Sequence, residues 1–512
     1  MTAAFTRRGM MAAGAAALLG GPAGAETIRR GGTLSVFLEL DVKSLDPLGG
    51  NATVVDRKVF NLYAESLLQQ GKNFALEPWL AESWDVENGG HAVVFHLRPG
   101  VTFQDGTPFD AAAAKFNLDR LIAAGIGQLR QYVREMRSVE VLDDRTIRVH
   151  LDQPSALFLP MMANEAGAMI SPTAFRALGG DAFARNPVGT GAFRVTARAT
   201  GEVTAVRSET YWGKGADGKA LPYLDGVHLS VNANSSVRLV QLMSGTAQLC
   251  DPVPPKDFAQ VKRTPDLDLL DVGTDSAYVV SFNITRPPFD NLDLRRAVVM
   301  AIDRPTMARL VTQSYGGPLK GIEPPNSWVY DEALRGHVFD PEQAKALYAK
   351  SGHSGPVSLS IVQRDPDTQI AEIVQGMVKR AGIELRVDSE ERIAFLSKVA
   401  AAKFDLALTR SLPGQRPDPD LQYAFAYSRG ATLNYSGFRN DGIFDLVDDA
   451  HSELDNAKRK TLYVQIQQAV LDNCYQTFLL WSSTKEVASR RLQGIKHDAT
   501  GIWRYEGMWL ET

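Results

Sequence analysis

Between residues 357 and 409 the hydrophobic period switches repeatedly between that of a strand and that of a helix, which few folds accommodate. Val357, Leu359 and Ile361 occupy alternate positions and form one face of a strand. Ile370, Ile373, Val374 and Met377 then stripe a helix that stops at Gly382. Ile383, Leu385 and Val387 alternate again, a helix runs from roughly Glu391 to Ala402, and Phe404–Thr409 is another strand. Strands alternating with helices imply an α/β lobe. Upstream, Leu294, Ala297, Val298, Ala301 and Ile302 keep helical spacing. Asp340-Pro341 supplies a cap and a first-turn proline for a helix that Gly352 ends.

The first half of the chain reads differently, with more strands and turns. His91 to Leu97 alternates, placing Val93, Phe95 and Leu97 on one face. Pro99-Gly100 and Asp105-Gly106 bracket a second short strand, Val101–Phe103, and Asp110 caps a helix starting at Ala111.

The N-terminus predicts export. Arg7-Arg8 precedes an apolar stretch from Met10 to Leu19, a Gly21-Pro22 break and the small residues Ala23-Gly24-Ala25. Ten apolar residues reach about 15 Å as a helix, short of the roughly 30 Å core of a bilayer. Residues 1–25 are therefore expected to be a removed signal, and the adjacent arginines suit the twin-arginine type. No cysteine stands at the new terminus to take a lipid, so a free periplasmic protein is expected.

Cleavage leaves about 487 residues, more than one core usually holds, so two or more lobes are expected. Losing Arg7 and Arg8 takes the formal charge from −4 to −6. That acidity argues against nucleic acid as a partner. Cys250 and Cys474 are the two cysteines; separate buried thiols are the expectation and a disulfide the alternative. Gly213-Lys214-Gly215-Ala216-Asp217-Gly218 matches a nucleotide-binding motif in letters only, since it leads to Pro222 and not into a helix.

A series of motifs runs through the chain in order. It includes Gly31-Gly32-Thr33-Leu34, Ser44-Leu45-Asp46-Pro47, Leu80-Ala81-Glu82-Ser83-Trp84, Phe95-His96-Leu97-Arg98-Pro99-Gly100-Val101 and Asp105-Gly106-Thr107-Pro108-Phe109. Asn186-Pro187-Val188-Gly189-Thr190-Gly191, Leu221-Pro222-Tyr223-Leu224-Asp225-Gly226, Phe282-Asn283 and Ala301-Ile302-Asp303-Arg304 follow. With these the chain resembles family 5 of the bacterial extracellular solute-binding proteins, the oligopeptide, dipeptide and nickel receptors of ABC importers.

The resemblance implies an α/β, two-lobed periplasmic binding protein of the cluster C type, with an extra subdomain in lobe I and two chain crossings. Lobe I would take residues 26–275 and return at 484–512, its subdomain about 62–188, and lobe II 276–483. The crossings would lie near Tyr278–Asn283 and Leu479–Ser483. It implies no catalysis and no cofactor; the partners would be a solute, an inner-membrane permease and its ATPase, the receptor itself being a monomer. A nickel, metallophore or haem receptor is the alternative within the family, and a secreted hydrolase the alternative outside it.

The same resemblance supplies candidate ligand contacts. Arg364 aligns with the arginine that clamps a peptide carboxylate, a task suited to a planar guanidinium with two parallel donors. Where peptide receptors carry an aspartate for the ligand's ammonium, this chain has Gln415, which offers no full charge; Asp418 is a substitute three residues along. Arg410 and Arg416 add positive charge and favour a carboxylated solute. Asn434, Tyr435, Tyr278 and Trp481 complete the expected wall, although Trp481, like Trp503, suits a core better, as aromatics more often do.

Overall fold

The computed structural model describes residues 28–42, 44–49, 54–71, 74–124 and 133–511. The export signal read from residues 1–25 lies outside them.

Lobe I is built on the strand Thr33–Leu38, whose Leu34, Val36 and Leu38 are buried at alternate positions. It lies parallel to Gly226–Val231 on one side and to Leu249–Cys250 on the other. Glu202–Arg207 and Phe193–Ala199 extend the sheet as antiparallel strands. A subdomain stands apart with its own core, made by four antiparallel strands in the order Ala81–Glu87, Ala92–Leu97, Thr146–Leu151, Met136–Asp143. The helix Ala111–Ala124 packs on these strands, and Asp110 accepts a 2.9 Å hydrogen bond from the Ala113 amide as its cap. The expected strand at Val101–Phe103 is reduced to a single bridge, Thr102 to Pro108. Phe103 to Thr107 and Phe109 to Val101 are the two hydrogen bonds of that bridge, and the turn closed by Gly106 to Phe103 leaves no length for a longer ladder.

Lobe II follows the alternation closely. Val357–Val362 is parallel to both Leu385–Glu390 and Leu406–Ser411, with helices Asp367–Arg380 and Arg392–Ala400 between them. Asp340 caps the helix Pro341–Ser351, and Gly352 leaves it at φ 70°, a conformation without steric cost only for glycine. Cys250 and Cys474 are both free and buried, each in a different hydrophobic cluster.

Two long strands carry the chain between lobes. Leu267–Phe282 and Gln476–Ser489 run antiparallel to one another, and through them a single sheet spans both lobes. Leu267–Asp271 faces Lys485–Ser489 beside the lobe I sheet, whereas Ala277–Phe282 also pairs with Leu406–Ser411 of lobe II. The ladder breaks between Asp271 and Asp275, where one set of partners gives way to the other.

The lobes also touch away from these strands. Arg57 donates to the Gln415 carbonyl (2.8 Å), and Gln70 to the Pro417 carbonyl (2.6 Å). His451 of lobe II lies between Asp420 (2.8 Å) and Glu135 of the subdomain (3.0 Å), all three buried. Burial alone would lower the His451 pKa, but hydrogen bonds to Asp420 and Glu135 overcome it and raise the value to about 10. A pKa raised on folding stabilises the protein fully below the unfolded value, about 6.5, and the contribution disappears as pH rises through the folded one. The stability advantage of wild type over His451→Gln is therefore expected to be largest near pH 6 and to shrink toward pH 10, measured by thermal unfolding across that range.

Candidate functional site

In sheets with parallel strands, ligands collect beyond the carboxyl ends of the strands, where side chains converge without being consumed by the ladder. Here two such ends face each other. From lobe I, Thr33–Leu38 delivers Glu39. From lobe II, Val357–Val362 delivers Arg364, and Leu406–Ser411 delivers Arg410. Lys256 of lobe I and Asp365 of lobe II, 3.8 Å apart and exposed, bridge the same gap.

Glu39 is held through its backbone. Its amide donates to Asp251 (2.8 Å), whose other oxygen takes a 2.6 Å bond from Lys58. The fully buried Lys58 ammonium also reaches Glu486 (2.6 Å) and sits 3.8 Å above the Trp503 ring. Glu486 in turn accepts from the Trp503 indole at 2.6 Å and contacts His497 at 2.8 Å. Burial would lower the Lys58 pKa, yet the two carboxylates raise it, so the ammonium stays charged. The Glu39 side chain is exposed. Its walls nevertheless strip water from the carboxylate and raise its pKa; Asp251 adds to the rise, while Arg238, Arg410 and Lys58 oppose it. The influence of Arg410 ties the two sides of the cleft together.

On lobe II, the Arg364 side chain is about one-third exposed, and its Nε donates to the buried Asp367 at 3.0 Å. Its two terminal nitrogens make no hydrogen bond among the described residues. Arg410, exposed, pairs in register with Tyr278, and both Arg410 and Arg364 act on the buried Tyr278 hydroxyl. These three expected residues form one group. The others fall elsewhere. Ala277 faces Trp481 across the crossing strands while Tyr278 faces Leu480, so Trp481 lies on the opposite face, packed over Gly317. A Cβ at Gly317 would come within 2.9 Å of the Trp481 indole nitrogen. Tyr435 packs against Val362, Phe395 and Phe404, and Asn434 donates to the Phe438 carbonyl at 2.9 Å.

The loop after Leu406–Ser411 is mostly committed to architecture. Gln415 is half-buried, with its carbonyl taken by Arg57, and Arg416 lies 5.7 Å over the Phe425 ring. Asp418, considered above as a substitute ammonium anchor, is only 5 % exposed and forms a two-bond pair with Arg459. An incoming amine would have to displace a buried guanidinium, so the structure assigns Asp418 to the lobe II interior. Glu39 was missed in the sequence. The signal was available: an acid immediately after the alternating Leu34, Val36 and Leu38.

Two hollows lie away from the facing strand ends. One, about 30 Å³ and lined by Asn61, Glu65, Trp79 and Arg504, is about the size of a water. The other is an apolar groove of about 260 Å³ on lobe II between Leu310, Phe339, Ile373 and Met377.

A two-lobed α/β frame with unused charge at its facing strand ends defines a solute receptor. The chain belongs to family 5 of the bacterial extracellular solute-binding proteins, whose profile matches residues 75–433. It is 30 % identical over 360 residues to the glutathione-binding protein GsiB of Escherichia coli O6:K15:H31 (strain 536 / UPEC), covering 69 % of each chain. With GsiB of Shigella dysenteriae serotype 1 (strain Sd197) it shares 27 % over 452 residues, 83 % of this chain and 84 % of that one. The fold matches DppA of Helicobacter pylori in complex with the peptide STSA at TM-score 0.78 and 24 % identity, covering 94 % and 99 % of the two chains. It also matches CtaP of Listeria monocytogenes at TM-score 0.83 and 20 % identity, covering 94 % and 100 %.

Replacing Asp418 by Asn keeps its shape and leaves the Arg459 charge uncompensated in the interior. Asp418→Asn is expected to cost about 3 kcal/mol or more of stability in denaturant unfolding, a loss that a solvent-facing ligand contact would not show.

Proposed function

We propose that this chain is the periplasmic receptor of an ABC importer, that it captures a carboxylated, peptide-like solute between its lobes, and that it releases the solute unchanged to an inner-membrane permease. One observation carries the solute class. Arg364 and Arg410 stand at adjacent strand ends in the cleft, Arg410 exposed and Arg364 about one-third exposed, and neither is spent on a carboxylate beyond the Arg364–Asp367 contact. Exposed guanidinium donors that converge on one gap suit a bidentate carboxylate. The likeness to proteins that bind glutathione, a tripeptide with free carboxylates, supports the same reading.

The crossing strands supply the motion. Bending is expected at the broken ladder between Asp271 and Asp275, with lobe I ending near residue 275, lobe II spanning 276–483 and lobe I resuming at 484–512. Opening would separate Arg57 from Gln415, Gln70 from Pro417 and His451 from Glu135.

The direct test is mass spectrometry of the solute released from purified protein on mild denaturation. A peptide-like acid is expected; a copurifying metal or chromophore would instead favour the nickel or haem alternative, and turnover of the solute would point to a hydrolase. In calorimetry, Arg364→Ala is expected to weaken glutathione at least tenfold, about 1.4 kcal/mol, with Arg364→Lys falling between. An unchanged affinity removes Arg364 from the site.

For export, we propose the twin-arginine route for residues 1–25. Arg7→Lys together with Arg8→Lys is expected to leave uncleaved precursor in the cytoplasm, scored by fractionation; normal processing would assign the signal to the general secretory route.

A further inference from the structure

We propose that Glu39 of lobe I anchors an ammonium group of the solute, so that a peptide-like zwitterion lies across the cleft, its amine on lobe I and its carboxylate on lobe II. This assignment rests on the peptide-like reading above and adds to it a charge requirement and an orientation.

Several acids of both lobes are already partnered. Asp251 is bonded to Lys58, Asp367 to Arg364, Asp418 to Arg459, and Asp365 is paired with Lys256. Asp420 and Glu135 share His451. Glu39 differs: its side chain makes no hydrogen bond or ion pair among the described residues, and it is exposed. Its position is nonetheless fixed, because its amide is tied to Asp251, which Lys58 holds from below. A carboxylate whose backbone is anchored and whose oxygens are unclaimed suits a cationic guest, since only its side-chain rotamers remain to be ordered on binding.

The surroundings agree. Asp251 lies close enough to disfavour the charged form of Glu39, and an arriving ammonium would relieve both that repulsion and the lost hydration. Arg410 acts on Glu39 through its charge, and the two form no ion pair among the described residues, so the two walls carry opposite charges. A zwitterion is the solute that satisfies both. Lobe II offers the amine no comparable site, because Gln415 is uncharged and Asp418 is consumed.

Asp275 is the rival anchor. It too has no bonded partner among the described residues, but it is only 6 % exposed and shares the strand face of Trp481, away from Tyr278 and Arg410.

The test uses two defined peptide sets. One contains di- and tripeptides, γ-glutamyl forms included, with free amines. The other contains their des-amino counterparts, which lose the charge without added bulk. Each set is presented to wild type, Glu39→Gln and Asp275→Asn, and bound species are read by native mass spectrometry with titration of the best binders. Wild type and Asp275→Asn are expected to prefer free-amine peptides about ten- to a hundredfold. Glu39→Gln is expected to lose that preference while binding des-amino peptides as wild type does and melting at the same temperature. In the Glu39→Gln background, Gln415→Asp is expected to restore part of the preference from the other wall. Equal wild-type binding of both sets, or loss of the preference in Asp275→Asn alone, would overturn the assignment and leave the carboxylate reading standing. Silence of wild type toward both sets would overturn the peptide-like reading and this assignment with it.

Discussion

The structure depends on the antiparallel pairing of Leu267–Phe282 with Gln476–Ser489. These strands belong to both lobes, so each lobe's sheet ends on the same two segments and neither can be placed without the other. Antiparallel pairing holds the strands at a fixed spacing, and the break between Asp271 and Asp275 leaves one short stretch where backbone hydrogen bonds do not resist bending. This break, with a second register shift between Tyr278 and Val279, permits rotation of the lobes while the paired segments oppose their separation. Beside it, the Lys58 network ties Glu486 of the returning strand to Asp251 and so to the Glu39 backbone. The cleft wall on lobe I is thus referenced to the crossing itself.

Much of the interior charge serves architecture. Lys58 with its two carboxylates, Arg459 with Asp418, and His451 between Asp420 and Glu135 are ion pairs withdrawn from water. Each is costly to desolvate, and each becomes far costlier if one partner is lost. Their geometry admits few alternatives, since every oxygen or nitrogen that shifts leaves an unmatched charge behind. Arg364 and Arg410 belong to none of these networks, and both keep part of their surface in water. That contrast in exposure, and not residue type, is what sets the candidate contacts apart from the structural pairs.

Lobe II was legible because its signals are local. The periods at Val357–Ile361 and Ile370–Met377 and the caps at Asp340 and Gly352 each act within a few residues, and the structure follows them. The stretch Val101–Phe103 is shorter than alternation suggests because the Gly106-to-Phe103 turn folds the chain back on itself, so its ladder is a single bridge to Pro108. Asp418 was misjudged because its partner, Arg459, is 41 positions away. Nothing in the Asp418-Pro419-Asp420 stretch announces that the carboxylate points inward. Tyr278, Arg364 and Arg410 do converge, whereas Trp481 does not join them: one residue of offset along a strand decides the face.

Charge placed on both walls has a consequence for how binding couples to motion. A solute held by lobe II alone, however tightly, binds the open and closed forms equally and shifts nothing. Moving the balance from 1:99 to 99:1 requires about 5.5 kcal/mol of preference for the closed form. A hydrogen bond to a charged group supplies about 1.5–3 kcal/mol, so about two to four contacts that exist only when the walls approach are sufficient. The contacts already linking the lobes, from Arg57 to Gln415 and from His451 to Glu135, form with or without solute and set the starting balance. What the solute adds must come from bridging. An anion on Arg364 and Arg410 meets the Glu39 carboxylate on the lobe I wall, which repels it and opposes closure. A zwitterion reverses that sign, so the same arrangement that admits the solute also makes closure depend on its having two opposite ends.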